Sequence, residues 1–193
     1  MTVTRPPAGP GGEPKGPLRV DARGLLGSLS REFRQAASSA LCERLAYWLS
    51  EVAPSGIVAL FASLPSEPDN EALARCLVGR TAYPRLTPEG LDFVVARPDQ
   101  LRRGAAGVLE PPEGPAVSPA VVLVPGLLFT LAGDRLGRGG GYYDRALAQR
   151  RCHTVACCFH AQLVQRLPTE AHDVRMDWVC TEALGPARTN EGR

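Results

Sequence analysis

From Ser30 onward, apolar side chains return at spacings of three and four: Phe33, Ala37, Leu41, Leu45, Trp48, Leu49 and Val52. That period is one face of an α-helix, and Ser30 just ahead of it is a candidate N-cap, its hydroxyl able to accept from a first-turn N–H. The pattern changes at residues 57–63, IVALFAS, an apolar run bounded by Gly56 and Pro65 that suits a strand covered on both faces. A helix is predicted from about Asn70 to Val78. TAYPRL (81–86) and LDFVVA (91–96) then read as short strands, PDQLRRG (98–104) as one or two helical turns and VVLVPGLLF (121–129) as a central strand. YYDRALAQR (142–150) reads as a helix, and HTVACCF (153–159) and MDWVCTE (176–182) as two more strands. Strands alternating with helices predict an α/β fold: a single domain with a largely parallel central sheet flanked by helices on both faces.

The chain ends differ in character from this body. Residues 1–14 are rich in proline and glycine without apolar periodicity, which predicts a disordered tail, and residues 185–193 read as a second flexible tail. The domain is thus placed at 15–184. A length of 193 residues suits one ordinary domain with a substantial core. The formal charge of +2 offers no broad basic field for nucleic acid. No window approaches the roughly 20 apolar residues of a membrane span, and the N-terminus lacks the apolar centre of a signal peptide, so a cytoplasmic protein is expected. The six cysteines form no C-x-x-C pair and read as reduced thiols. In CHTVACCFH (152–160) a metal reading competes with core packing; strand alternation sends Cys157 and Cys158 to opposite faces, which favours packing. Of the 22 basic residues only Lys15 is lysine.

Candidate chemistry concentrates in residues 133–145, GDRLGRGGGYYDR, between the central strand and a helix. Backbone N–H groups in such a glycine-rich turn can converge on an anion, and Arg135, Arg138 and Arg145 can add charge-assisted bonds to phosphate. Asp144 fits beside phosphate if a magnesium ion lies between them. The loop is neither G-x-x-x-x-G-K-[ST] nor G-x-G-x-x-G. Loop chemistry alone leaves a phosphate site and a hairpin linker with solvated arginines both open.

RLGRGGGYYDR preceded by VVLVPGLLF resembles the signature of the 5-formyltetrahydrofolate cyclo-ligases, or methenyltetrahydrofolate synthetases. Further matches follow in family order: Lys15 and Arg19 in a K-x-x-L-R element, Glu67, YPR at 83–85, GVLEP at 107–111 and LPTEAHD at 167–173. The resemblance covers roughly residues 15 to 184. It implies the sheet architecture also found in sugar-phosphate isomerases and CoA transferases, and an ATP- and Mg2+-dependent closure of 5-formyltetrahydrofolate to 5,10-methenyltetrahydrofolate, releasing ADP and phosphate.

The resemblance also implies roles for residues. Arg138 and Asp144 are the implied catalytic pair. Lys15, Arg19, Arg135, Leu136, Gly137, Arg138, Gly139, Gly140, Gly141, Tyr142 and Tyr143 are implied to bind ATP, with Asp144 and Asp173 at magnesium positions. Glu67 is implied to accept from pterin N–H donors, with Arg138, Gly139, Gly140, Gly141 and Tyr142 also on the folate. Without it, Asp144 is a first-turn helix carboxylate, Asp173 and Glu67 are loop acids, and Tyr142 packs the helix start on the sheet. Thr130, Asn70 and Gly140 depart from the family pattern. The expected partners are two small molecules, 5-formyltetrahydrofolate and ATP, and the chain is read as a monomer. The competing reading is a non-catalytic nucleotide- or folate-binding protein on the same fold.

Overall fold

The computed structural model describes residues 14–88, 90–104, 107–148 and 151–189. Helix α1 (Lys15–Ser28) leads into α2 (Arg31–Val52), and Ser30 caps α2 as its period predicts, its hydroxyl accepting from Phe33 N at 3.1 Å. Then come β1 (Val58–Ala59), α3 (Glu71–Cys76), β2 (Thr81–Thr87), β3 (Gly90–Val95), β4 (Arg102–Arg103), β5 (Leu109–Glu110), β6 (Ala116–Val117) and β7 (Val121–Val124). The chain finishes with β8 (Leu128–Phe129), β9 (Arg135–Leu136), α4 (Tyr142–Leu147), β10 (His153–Cys157), β11 (Trp178–Cys180) and β12 (Ala187–Arg188).

Eight strands form one sheet in the order β12-β11-β10-β7-β1-β2-β3-β6. Its middle is parallel, from β11 through β10, β7 and β1 to β2, while β12, β3 and β6 join antiparallel at the two edges. The α/β class with a mixed, largely parallel sheet is therefore as the sequence pattern predicts.

Alternation along the strands divides the core. Val58, Leu60, Tyr83, Val121, Leu123, Val155 and Cys157 face α2 and α3 on one side. Ala59, Ala82, Val122, Val124, Ala156 and Cys158 face α4 and Phe129 on the other. Cys157 and Cys158 thus lie on opposite faces, both as free thiols, and burial pushes each well above the usual thiol range. Among the described residues no cluster of histidine, cysteine or carboxylate forms a metal cage.

Three elements depart from the pattern. VVLVPGLLF is not one strand: Val121–Val124 enters the large sheet, whereas Leu128–Phe129 turns away to pair with Arg135–Leu136. Pro125 has no N–H for a central ladder, so the chain leaves the sheet there. PDQLRRG forms only a 3-10 turn at Pro98–Gln100 before Arg102–Arg103 pairs with Leu109–Glu110. The sheet also continues past residue 184, because Ala187–Arg188 pairs with Trp178–Val179. Residues 1–13 and 190–193, where parts of the two tails are expected, lie outside the described residues.

A third cluster positions the site. Ala22 and Leu26 of α1 pack with Leu127, Leu128, Leu136 and Phe159, so the N-terminal helix is held against the β8–β9 hairpin that launches the glycine loop. Among the described residues no helix is long and apolar enough to cross a membrane.

Candidate active site

A cleft of about 790 Å³ opens outside the carboxyl ends of β1, β2 and β7. Ligands bind at this end of parallel sheets because the strand-to-helix loops converge there. Its walls bring together the residues that the resemblance implies, Lys15, Arg19, Glu67, Arg135, the run from Leu136 to Tyr143, Asp144 and Asp173, whereas Arg145, named from loop chemistry, is not among its lining residues and donates instead to Gly140 O at 3.0 Å.

The glycine loop owes its path to residues without a side chain. Gly139 (φ 111°) and Gly141 (φ 63°) occupy backbone conformations that other residues resist, and Gly141 starts α4 from the left-handed region. The N–H groups of Gly137 to Gly141 donate to no acceptor among the described residues, which leaves them directed to a ligand or solvent. Arg19 Nε donates to Gly137 O at 3.0 Å, fastening α1 to the loop. At six residues, α4 is short, so its dipole adds little to the field of the loop N–H groups and neighbouring cations.

Each expected acid is matched with a cation. Lys15 Nζ donates to Asp173 at 2.7 and 3.0 Å and lies 3.4 Å from Glu170. Burial pulls the Asp173 carboxyl upward, but the Lys15 hydrogen bond and the Glu170 backbone N–H outweigh it and hold the group below the usual carboxylate range. Arg135 Nη2 donates to both oxygens of Asp144 at 2.8 Å. Val174 N, next to Asp173, also donates to Asp144 at 3.3 Å, so the two expected magnesium positions sit on adjoining segments. Glu67, its side chain only 5% exposed, accepts from Arg138 Nε at 3.1 Å and Nη2 at 2.8 Å, and from Leu64 N at 3.0 Å.

Some named residues contribute otherwise than their position suggests. The Arg135 side chain is buried against Asp144 and over the Tyr143 ring, 5.8 Å from its centroid, so it braces the loop from beneath. The Leu136 side chain is core, leaving only its backbone to face the cleft. Tyr143 also packs inward, and burial drives its hydroxyl far above the usual phenol range. Tyr142 is 41% exposed, with the Arg145 guanidinium 5.1 Å from its ring centroid; it does not seal the helix against the sheet.

The departures from the family pattern have local explanations. Thr130 exchanges hydrogen bonds with Asp134, its hydroxyl accepting from the backbone N–H and donating to the carboxylate. Asn70, buried, donates to Phe61 O at 2.8 Å and steadies the loop carrying Glu67. A Cβ on Gly140 would lie 2.5 Å from the Tyr142 ring, so the absence of a side chain there permits that ring position. Sequence reasoning missed Glu170 and Glu110, which also line the cleft. Glu170 lies within LPTEAHD and Glu110 within GVLEP, so the signal was present without a role attached.

Comparison with known proteins adds a second line of observation. A model of the 5-formyltetrahydrofolate cyclo-ligase family matches residues 12–182. The chain is 33% identical over 174 residues to a 5-formyltetrahydrofolate cyclo-ligase of Mycolicibacterium smegmatis, covering 80% of this chain and 89% of that protein. It is 27% identical over 192 residues to the 5-formyltetrahydrofolate cyclo-ligase of Mus musculus, covering 86% and 92%. The NMR structure of 5,10-methenyltetrahydrofolate synthetase from Aquifex aeolicus superimposes with a TM-score of 0.76 at 31% identity, covering 93% of this chain and 94% of that one.

Proposed function

The chain belongs to the 5-formyltetrahydrofolate cyclo-ligase family, and on that premise we propose how its cleft performs ATP-dependent closure of 5-formyltetrahydrofolate to 5,10-methenyltetrahydrofolate. The observation that carries the proposal is the open row of N–H groups from Gly137 to Gly141, beside Lys15, Arg19 and Arg138 and joined to Glu67 through Arg138.

A formamide carbon is a weak electrophile and its oxygen a poor leaving group. Transfer of the γ-phosphoryl group to that oxygen, with ADP departing, turns it into phosphate. The second folate nitrogen then attacks the formyl carbon, its proton is released, and the carbon–oxygen bond breaks as phosphate leaves. Catalysis of such a transfer is chiefly positioning and charge neutralisation. Lys15 and Arg19 hold the ATP phosphates from α1, while the N–H groups from Gly137 to Gly141 cradle them from the loop. Arg138 lies between phosphate and folate, since its guanidinium already reaches Glu67. Glu67 accepts from a pterin N–H donor, and the exposed Tyr142 ring offers a face for the pterin.

Asp144 and Asp173 would be the donors that hold magnesium. Two carboxylates on adjoining segments suit an ion whose remaining ligands are phosphate oxygens and water. Bound there, magnesium supplies charge neutralisation on the transferring group. Lys15 and Arg135 balance these carboxylates, and ATP phosphates compete with Asp173 for Lys15.

The test is absorbance of methenyltetrahydrofolate from purified protein and 5-formyltetrahydrofolate, with ATP and magnesium supplied or withheld. Product only when both are present supports the proposal. Binding of both ligands without ADP formation would replace it with the non-catalytic reading.

A further inference from the structure

We propose that Glu110 is a second folate-recognising carboxylate of this cleft, accepting hydrogen bonds from the 2-amino and N3–H edge of the pterin; the inference rests on the folate reading above.

Counting acceptor sites leads to it. A carboxylate offers about four lone-pair sites. Glu67 has committed three of them, to Arg138 Nε, Arg138 Nη2 and Leu64 N, so one remains. The tetrahydropterin of 5-formyltetrahydrofolate presents two amino hydrogens, N3–H and N8–H. Leaving buried donors unpaired is costly, so a second acceptor is needed. The carboxylates lining the cleft are Glu67, Glu110, Asp144, Glu170 and Asp173. Glu67 is taken by Arg138, Asp144 by Arg135, and Asp173 and Glu170 by Lys15. Only Glu110 has no ion pair or hydrogen bond to its side chain among the described residues.

The local backbone keeps it available. Glu110 on β5 stands directly opposite Arg102 on β4, a register in which opposite charges ordinarily pair. Arg102 instead donates to the carbonyls of Asp99 and Leu101, both at 2.8 Å, and leaves Glu110 free. Gly104 makes room for the carboxylate, because a Cβ there would lie 2.5 Å from the Glu110 carboxyl carbon. Pro84, Leu86 and Leu91 line the same cleft and supply an apolar wall for a flat heterocycle. Lys15 and Arg19, the phosphate-directed cations, come from α1, whereas Glu110 comes from β5, which packs beside β2, the strand that supplies Pro84 and Leu86 to the apolar wall.

Calorimetry with 5-formyltetrahydrofolate and with ATP, each alone, tests the assignment on wild type, Glu110→Gln and Gly104→Ala. Glu110→Gln should weaken 5-formyltetrahydrofolate binding about tenfold and leave ATP affinity within about twofold. Gly104→Ala, which displaces the carboxylate while keeping its charge, should act in the same direction. A 5-formyltetrahydrofolate analogue with hydrogen in place of the 2-amino group should bind wild type less well than the parent, and Glu110→Gln should narrow that difference. Unchanged folate affinity, an equal loss for parent and analogue, or a loss confined to ATP each overturns the assignment. Normal wild-type turnover beside any of these results leaves the cyclo-ligase mechanism standing. Wild type that binds the folate but makes no product refutes the mechanism alone.

Discussion

Asp144→Asn shows how the tertiary structure changes an expectation. By sequence, the change keeps shape and removes a magnesium-directed charge, so it is expected to lower turnover and spare folding. The structure adds a structural cost. The Arg135 side chain is 6% exposed and that of Asp144 16%, and Arg135 Nη2 is 2.8 Å from both carboxylate oxygens. Arg135 Nε is already buried without a partner among the described residues, so Asp144 is the main compensation for that charge. Asparagine replaces one acceptor with an NH2 group that faces the guanidinium. Breaking a buried pair from one side costs about 3–5 kcal/mol, and partial water access to Asp144 puts the expectation near the lower end, about 3 kcal/mol. For a chain of this size that corresponds to a fall in Tm of roughly 6–12 °C. Differential scanning calorimetry reads it, with kcat taken well below the melting range at saturating magnesium. Adding Arg135→Met should recover part of the lost stability, because neither charge is then left unpaired. Asp144→Asn melting within about 1 °C of wild type would refute the reasoning, and near-normal kcat would remove Asp144 from the reaction.

Lys15→Ala should raise the KM for ATP about tenfold with a smaller effect on kcat, since it removes a phosphate-directed charge and uncovers Asp173 in the same place; an unchanged ATP titration would make the lysine incidental. Because the folded pKa of Asp173 is depressed, the stability it contributes is present above the unfolded value of about 3.9 and is lost as pH falls through the folded value. The Tm difference between wild type and Asp173→Asn should therefore hold from pH 7 to about pH 5 and narrow only as pH falls below about 3.9; closure already between pH 7 and pH 6 would assign it to another group. Thiol titration of native protein should find Cys76 reacting fast and Cys152 more slowly, with Cys42, Cys157, Cys158 and Cys180 reacting only on unfolding, as their burial requires. Rapid reaction of a buried thiol would show that the sheet opens locally.

Local pattern determined much of this protein. The period of α2 and its serine cap, the alternation that parts Cys157 from Cys158, and the glycine loop after a central strand are properties of neighbouring residues, so they can be read along the chain. The identities of the cleft residues were also legible, because the ordered motifs match a family over nearly the whole chain. Tertiary structure decided what those residues do to one another. Pro125 ends β7 and frees the next segment for a hairpin, and that hairpin, packed on α1, brings Lys15 within 2.7 Å of Asp173 across a separation of 158 residues. Arg135 holds both oxygens of Asp144, Glu67 has most of its acceptor sites committed to Arg138 and Leu64, and Glu110 is left open among the described residues. Ion pairs between distant segments depend on which chain ends the sheet and core clusters draw together, and charge order along the sequence does not contain that distance.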